Sequence, residues 1–235
     1  MTLNYSRFYD EAAMPLDGAT ASGPGLPSHP AHRTGIYRNW FKRGFDIALV
    51  LISAPFVVPL VLCLAVLVAR DGGMPFYAQL RVGKGGRIFR MWKLRSMVVD
   101  ADERMAAHLA NDPEARREWD STQKLRSDPR ITPFGRFLRK SSLDELPQLW
   151  NVLTGDMSIV GPRPMMPSQQ SIYPGTAYFA VRPGITGFWQ TAGRNKTTFA
   201  ARAYYDAEYE KNLSASTDAK ILLRTVGVVL SCSGY

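Results

Sequence analysis

From Ile47 to Ala69 the chain reads IALVLISAPFVVPLVLCLAVLVA without a single charge. A run of that length and apolarity predicts a helix of about 35 Å, enough to cover the hydrocarbon core of a bilayer. Pro55 and Pro59 sit near its middle. Each lacks an N–H and crowds the preceding turn, so a break or bend is expected there. Residues 1–36 are rich in Pro, Gly, Ser and Ala, show no periodicity, and place no apolar core beside Met1. They predict a flexible tail and not a secretory signal. After the apolar run, RVGKGG (81–86) predicts a tight turn between two short extended segments. Residues 98–126 predict polar helices interrupted at Asn111-Asp112-Pro113. Residues 165–199, with Pro167, Pro174, Pro183 and several glycines, predict loops. Residues 200–212 have helical composition, and the apolar stretch from Ala219 to Leu230 suits a helix packed on the core or lying at a membrane interface. The expected class is mainly α with minor β: a tail over 1–36, a membrane helix over 37–70 and one domain over 71–235.

Charge changes the reading of the apolar run. Arg33, Arg38, Lys42 and Arg43 precede it, and Arg70, Arg81, Lys84, Arg87 and Arg90 follow it. A spanning helix normally keeps its positive flank on the cytoplasmic side, whereas two positive flanks fit a hairpin that dips in and returns. A kinked ordinary span stays open, since prolines are tolerated in membrane helices. The net charge of +9 fits nucleic acid, an anionic membrane or phosphorylated small molecules as partners. Basic and aromatic residues interleave over 77–95, which suits phosphates, lipid headgroups or a nucleic acid and equally a solvated basic face. The cysteines, Cys63 and Cys232, suggest no disulfide framework, and His29, His32 and His108 form no metal-binding spacing.

Candidate chemistry concentrates between Arg136 and Pro164. Arg139 and Lys140 precede the adjacent acids Asp144 and Glu145, and Gly161-Pro162-Arg163-Pro164 follows. Arginine donates two parallel hydrogen bonds to phosphate. A carboxylate pair can supply a nucleophile and a metal ligand, and Mg²⁺ takes one or two carboxylates together with substrate phosphates. A plainer reading competes: Ser142-x-x-Glu145 matches a capping box at a helix start, with Asp144 favouring the N-terminus by its charge. The Gly-Pro-Arg-Pro piece can equally be a rigid turn.

The chain resembles the bacterial sugar transferase family, the monotopic polyisoprenyl-phosphate hexose-1-phosphate transferases. Lys42-Arg43-x-Phe45-Asp46, Gln79-x-Arg81-Val82-Gly83, Lys93-x-Arg95-Ser96-Met97, SSLDELPQLWNVLTGDMSIVGPRP, RPGITGFWQTAGRN and Asp218-x-Lys220-Ile221-Leu222 carry the resemblance in family order. It implies a Pro-broken re-entrant membrane helix and a catalytic domain on the cytoplasmic face of the inner membrane. It implies a two-step transfer from a UDP-sugar to polyprenyl (undecaprenyl) phosphate, with release of UMP. Asp144 becomes the expected nucleophile, Glu145 with Asp144 the expected Mg²⁺ ligands, and Arg139 and Arg163 phosphate-binding residues. Arg81, Lys84, Lys93, Arg95 and Arg194 are further expected substrate contacts. Membrane lipids and a second copy of the chain are expected partners, nucleic acid is not. The sequence resembles the short, exopolysaccharide-priming form. A basic, membrane-docked adaptor or a non-catalytic subunit of a polysaccharide assembly complex is the rival, and it would tolerate loss of Asp144.

Overall fold

A computed structural model describes residues 35–122, 125, 127–193 and 199–230. The tail expected over 1–36 lies almost wholly outside the described residues, as do Arg194 and Cys232.

The apolar run forms α1 (Lys42–Ala69), which contains both Pro55 and Pro59. The break expected at the prolines does not interrupt it. Proline removes only the hydrogen bond its own nitrogen would make, and the two residues stand four apart, so both losses fall on one face of the helix. Only 11% of the apolar window is buried inside the protein, which separates α1 from a soluble core helix.

Two short segments follow as the antiparallel hairpin β1 (Phe76–Val82) and β2 (Ile88–Leu94), with Phe76 opposite Leu94 and Val82 opposite Ile88. Along β2 the inward positions are Phe89, Met91 and Lys93, so a lysine takes the third place on an otherwise apolar face. The polar stretch forms α2 (Ala101–Asn111) and α3 (Pro113–Thr122), parted at Asp112 as its Asn-Asp-Pro sequence predicts.

α4 (Pro133–Ser141) starts with Pro133 at its first turn and the Thr132 hydroxyl accepting from Gly135 N at 2.8 Å. It ends at Ser142, which is left-handed with φ 59°. A single 3₁₀ turn, Leu143–Glu145, leads into α5 (Gln148–Thr154). Asn151 of α5 docks on β2: its Oδ1 accepts from Trp92 N at 3.0 Å and its Nδ2 donates to Arg90 O at 2.7 Å. The amide thus replaces a neighbouring strand.

β3 (Ser158–Val160) pairs in parallel with β4 (Gly184–Thr186), a strand inside the stretch expected to be loop. The backbones touch just beyond β3: a Cβ on Gly184 would sit 2.1 Å from Gly161 N. Glycine is required for that approach. The short helix α6 (Ala177–Ala180) precedes β4, and α7 (Arg202–Lys211) and α8 (Ala215–Leu230) complete the domain.

Both ends of α1 pack on this one domain. Near its start, Arg43 donates to the last carbonyls of α5, those of Val152 and Leu153. Asp46 accepts from Ser158 Oγ at 2.7 Å and Ile159 N at 3.1 Å, and Lys42 meets the fully buried Asp218 of α8 at 2.8 Å. Val50 joins the core of Phe89, Met91, Val152 and Ile221. Near its end, Leu64, Ala65 and Val68 form a second cluster with Leu94 and Leu138. Between them Phe56 is 81% exposed, and Leu51, Ile52, Val58, Leu60 and Leu62 also face outward.

Candidate active site

The lysine on the buried face of β2 organises the site. Lys93 Nζ lies 2.7 Å from Glu145 Oε1 and 3.8 Å from Asp144 Oδ2. The left-handed Ser142 turns the chain so that the 3₁₀ turn brings both acids to β2. Ser142 makes no side-chain cap, and Glu145 reaches Lys93 instead of backbone. The capping-box reading is therefore corrected: Ser142 closes α4 in a left-handed conformation and its hydroxyl caps nothing in the 3₁₀ turn that follows. A narrow cleft opens over Glu145 and Lys93, lined also by Arg81, Gln148, Arg163 and Pro164, and Asp144 stands next to it through Lys93.

The neighbouring carboxylates are driven apart electrostatically. Burial pushes Asp144 above the ordinary aspartate value, with Glu145 adding to the rise while Lys93 and Arg139 oppose it. Burial would also raise Glu145, but Lys93, Arg163 and Arg81 outweigh it and hold that carboxyl at about 2. Environments that separate two adjacent acids in this way are how a site assigns them different tasks.

Cations surround the cleft. Arg81 on β1 is pushed down to about 10, by burial first and then by Arg163. Its Nη1 donates weakly to Pro164 O at 3.4 Å, and its buried Nε has no partner among the described residues. Arg163 follows β3 across the glycine contact, and its guanidinium stands 6.0 Å from the Trp189 ring. Arg202 of α7 lies 5.1 Å from the same ring and donates to Arg163 O at 2.6 Å. Behind it, Asp206 accepts from Tyr173 at 2.7 Å and is pushed up to about 6 by burial. Positive groups outnumber carboxylates at the mouth, which suits a polyanionic ligand. The sequence reading missed Gln148, Trp189 and Arg202. Gln148 and Trp189 lie inside the motif blocks, but nothing in the helical composition of 200–212 singled out Arg202.

The expected substrate contacts divide. Lys93 comes together with both Asp144 and Glu145, and Arg81 and Arg163 with Glu145. Arg139 stands beside the pair with its Nε on Ser96 Oγ at 2.8 Å. Arg95 does not join them: its N–H groups are engaged by Met74 O, Met97 O, Val68 O and the Asp71 carboxylate. Its role as a phosphate contact is corrected to closing the end of α1, since no donor is left over. Lys84 lies in the hairpin turn, outside the cleft lining, where its field comes from Arg182 and Arg38.

This geometry can be set beside known proteins. The family model described as bacterial sugar transferase matches residues 37–232. The chain belongs to the bacterial sugar transferase family. Over 197 residues it is 48% identical to a UDP-galactose-lipid carrier transferase of Erwinia amylovora, covering 83% of this chain and 41% of that protein. It is 46% identical to an undecaprenyl-phosphate galactose phosphotransferase of Salmonella typhimurium, with the same coverages. The chain thus spans about two fifths of the length of these two relatives. The exopolysaccharide production protein ExoY of Rhizobium meliloti is 41% identical over 198 residues, 83% of this chain and 88% of that protein. In this bacterial sugar transferase the matched region contains every residue of the cleft.

Proposed function

We propose that this protein transfers a sugar-1-phosphate from a UDP-sugar to polyprenyl phosphate through an aspartyl intermediate. An Asp144 oxygen attacks the β-phosphorus of the donor, the bond from that phosphorus to the bridging oxygen breaks, and UMP leaves with the electron pair. A phosphate oxygen of the acceptor then attacks the same phosphorus, the Asp144 carboxylate departs unchanged, and a polyprenyl diphosphosugar is formed. Charge balances in both steps and no proton has to move.

The single observation that carries this reading is the divided acid pair joined by Lys93, with Glu145 facing Arg81 and Arg163. The raised Asp144 is the more basic carboxylate and so the better nucleophile. Glu145, held anionic, keeps Lys93 beside it. The arginines fit the donor diphosphate and the departing UMP. Gln148, buried beneath the cleft, adds an amide hydrogen-bonding group to its lining. The donor set also suits Mg²⁺: two hard carboxylates, with no larger acidic cluster among the described residues, leave the remaining positions to substrate phosphates. Asp144 and Glu145 would hold the ion, which would supply charge neutralisation at the diphosphate.

The two-ended packing of α1 supports a re-entrant rather than spanning insertion, and its two basic flanks support a catalytic domain on the cytoplasmic face. In that arrangement Asp144 would lie where a soluble nucleotide and a lipid phosphate can meet. The relatives' names favour undecaprenyl phosphate as acceptor.

The test is a panel of UDP-sugars mixed with membrane-embedded enzyme and no acceptor. One equivalent of UMP and a sugar-phosphate adduct on Asp144, seen by mass spectrometry, are expected with one donor. Asp144→Asn should lose both. Turnover without any adduct would overturn the covalent route.

A further inference from the structure

A second, apolar groove of about 270 Å³ opens between the end of α1 and the start of α4, lined by Leu67, Val68, Met97, Pro133 and Phe134. It also holds Arg95 and Asp71, but these pair with each other, so the groove carries no net charge. It adjoins the outward apolar side of α1, where Val66 and Leu67 are exposed. Two features of α4 lead from this groove to the acid pair. Phe137 stacks on Phe134 with ring centroids 5.9 Å apart and is 53% exposed, extending an apolar track along the helix. One turn further on, Lys140 is exposed at the helix end, beside Arg139 and just before the turn that carries Asp144. Leu143, next to Asp144, packs on the same apolar cluster as Phe134. From Pro133 to Lys140 the helix rises about 10 Å.

We infer that the groove and α4 form the docking site for the prenyl phosphate acceptor: its first isoprene units lie in the groove and along Phe134 and Phe137, and its phosphate meets Lys140 beside Asp144. A prenyl phosphate has the matching polarity, a branched apolar chain ending in a dianion. The groove opens towards the lipid-facing side of α1 while the cation stands at the catalytic end. An isolated cation–aromatic edge would not need that order. The inference rests on the transfer reading above and assigns where its second substrate sits.

The two half-reactions provide the test. Full-length enzyme is placed in phosphatidylglycerol–phosphatidylcholine vesicles, and single-turnover UMP release without acceptor is compared with steady-state transfer to added polyprenyl phosphate. Leu67→Gln and Phe137→Ser are expected to raise KM for a long-chain acceptor about tenfold while the UMP burst keeps its amplitude. For a two-isoprene acceptor the same variants should change KM less. Lys140→Gln should raise KM for both acceptors. An unchanged KM, or burst and KM failing together, would overturn the site. Acceptor binding is also measured directly, by displacement of a fluorescent prenyl phosphate. Displacement by phosphatidylglycerol as readily as by polyprenyl phosphate would mean an unselective lipid surface and overturn it too. If wild-type enzyme shows no burst but the displacement is selective and lost in Phe137→Ser, the groove stands and the covalent reading falls.

Discussion

Asp144 and Glu145 share a peptide bond but not an environment, and Lys93 makes the difference. Its ammonium lies 2.7 Å from one acid and 3.8 Å from the other. Removing it in Lys93→Met leaves burial of Glu145 opposed only by Arg163 and Arg81, so that carboxyl should rise from about 2. The acid limb of the kcat/KM profile for UMP release should then move upward in pH. Stability follows the same sign. A depressed carboxyl contributes stability that is full above its unfolded value of 4.5 and is lost as pH falls towards about 2. Urea midpoints of wild type should therefore decline through that window, and those of Glu145→Gln should decline less. Ser142 tests the backbone that presents the pair. A left-handed φ of 59° is tolerable for serine and hard for a β-branched side chain. Ser142→Val should lower stability by about 1–2 kcal/mol and impair UMP release, whereas Ser142→Gly should be nearly neutral in denaturant melts. The acid pair was legible because its motif is contiguous. Lys93's place beside it was not, since 52 residues separate Lys93 from Glu145 and only the fold closes that distance. Arg95, two positions on, looked equivalent in sequence and differs because β2 ends there and its guanidinium turns back to α1.

At the scale of elements, the site depends on β2 holding register against α5. Asn151 maintains it with two hydrogen bonds to the backbone of β2. Asn151→Leu keeps the volume but leaves Trp92 N and Arg90 O without those partners, and each such loss costs about 1–3 kcal/mol. A loss of about 2–6 kcal/mol is expected, read as a lower denaturant midpoint at unchanged slope, together with weaker UMP release as Lys93 and the acids lose alignment. The hairpin, the Asn-Asp-Pro break and the two terminal helices could be read from the chain because each carries its own period or breaker. β4 could not. Three residues, Gly184–Thr186, are too few to show alternation, and their strand character comes from pairing with β3. The glycine contact between Gly161 and Gly184 is equally silent in sequence, although it sets the direction in which Arg163 leaves β3. Continuity of α1 through Pro55 and Pro59 also escaped local rules, which count the lost hydrogen bonds but not the intact ones on the opposite face.

For the whole molecule the deciding relation is between α1 and the domain. A straight crossing carries the two ends of a helix to opposite sides of a bilayer, yet Asp46 and Val50 near one end and Leu64 and Val68 near the other are all held by the same folded unit. A single domain cannot occupy both aqueous phases, so both flanks should face one side while the stretch around Phe56 enters lipid. Cysteine labelling in sealed vesicles separates the alternatives. In a background with Cys63→Ser and Cys232→Ser, Trp40→Cys and Met74→Cys place thiols at positions 78% and 73% exposed, before and after the apolar run. A membrane-impermeant maleimide should label both variants in inverted vesicles and neither in right-side-out vesicles. Native Cys63, restored alone, should resist the reagent in both orientations, because it is exposed on the apolar stretch of α1 that is expected to face lipid. Labelling of the two variants from opposite sides would establish a spanning helix. It would also require one end of α1 to detach from the domain, and with it either the Lys42–Asp218 contact or the Leu64–Leu138 cluster.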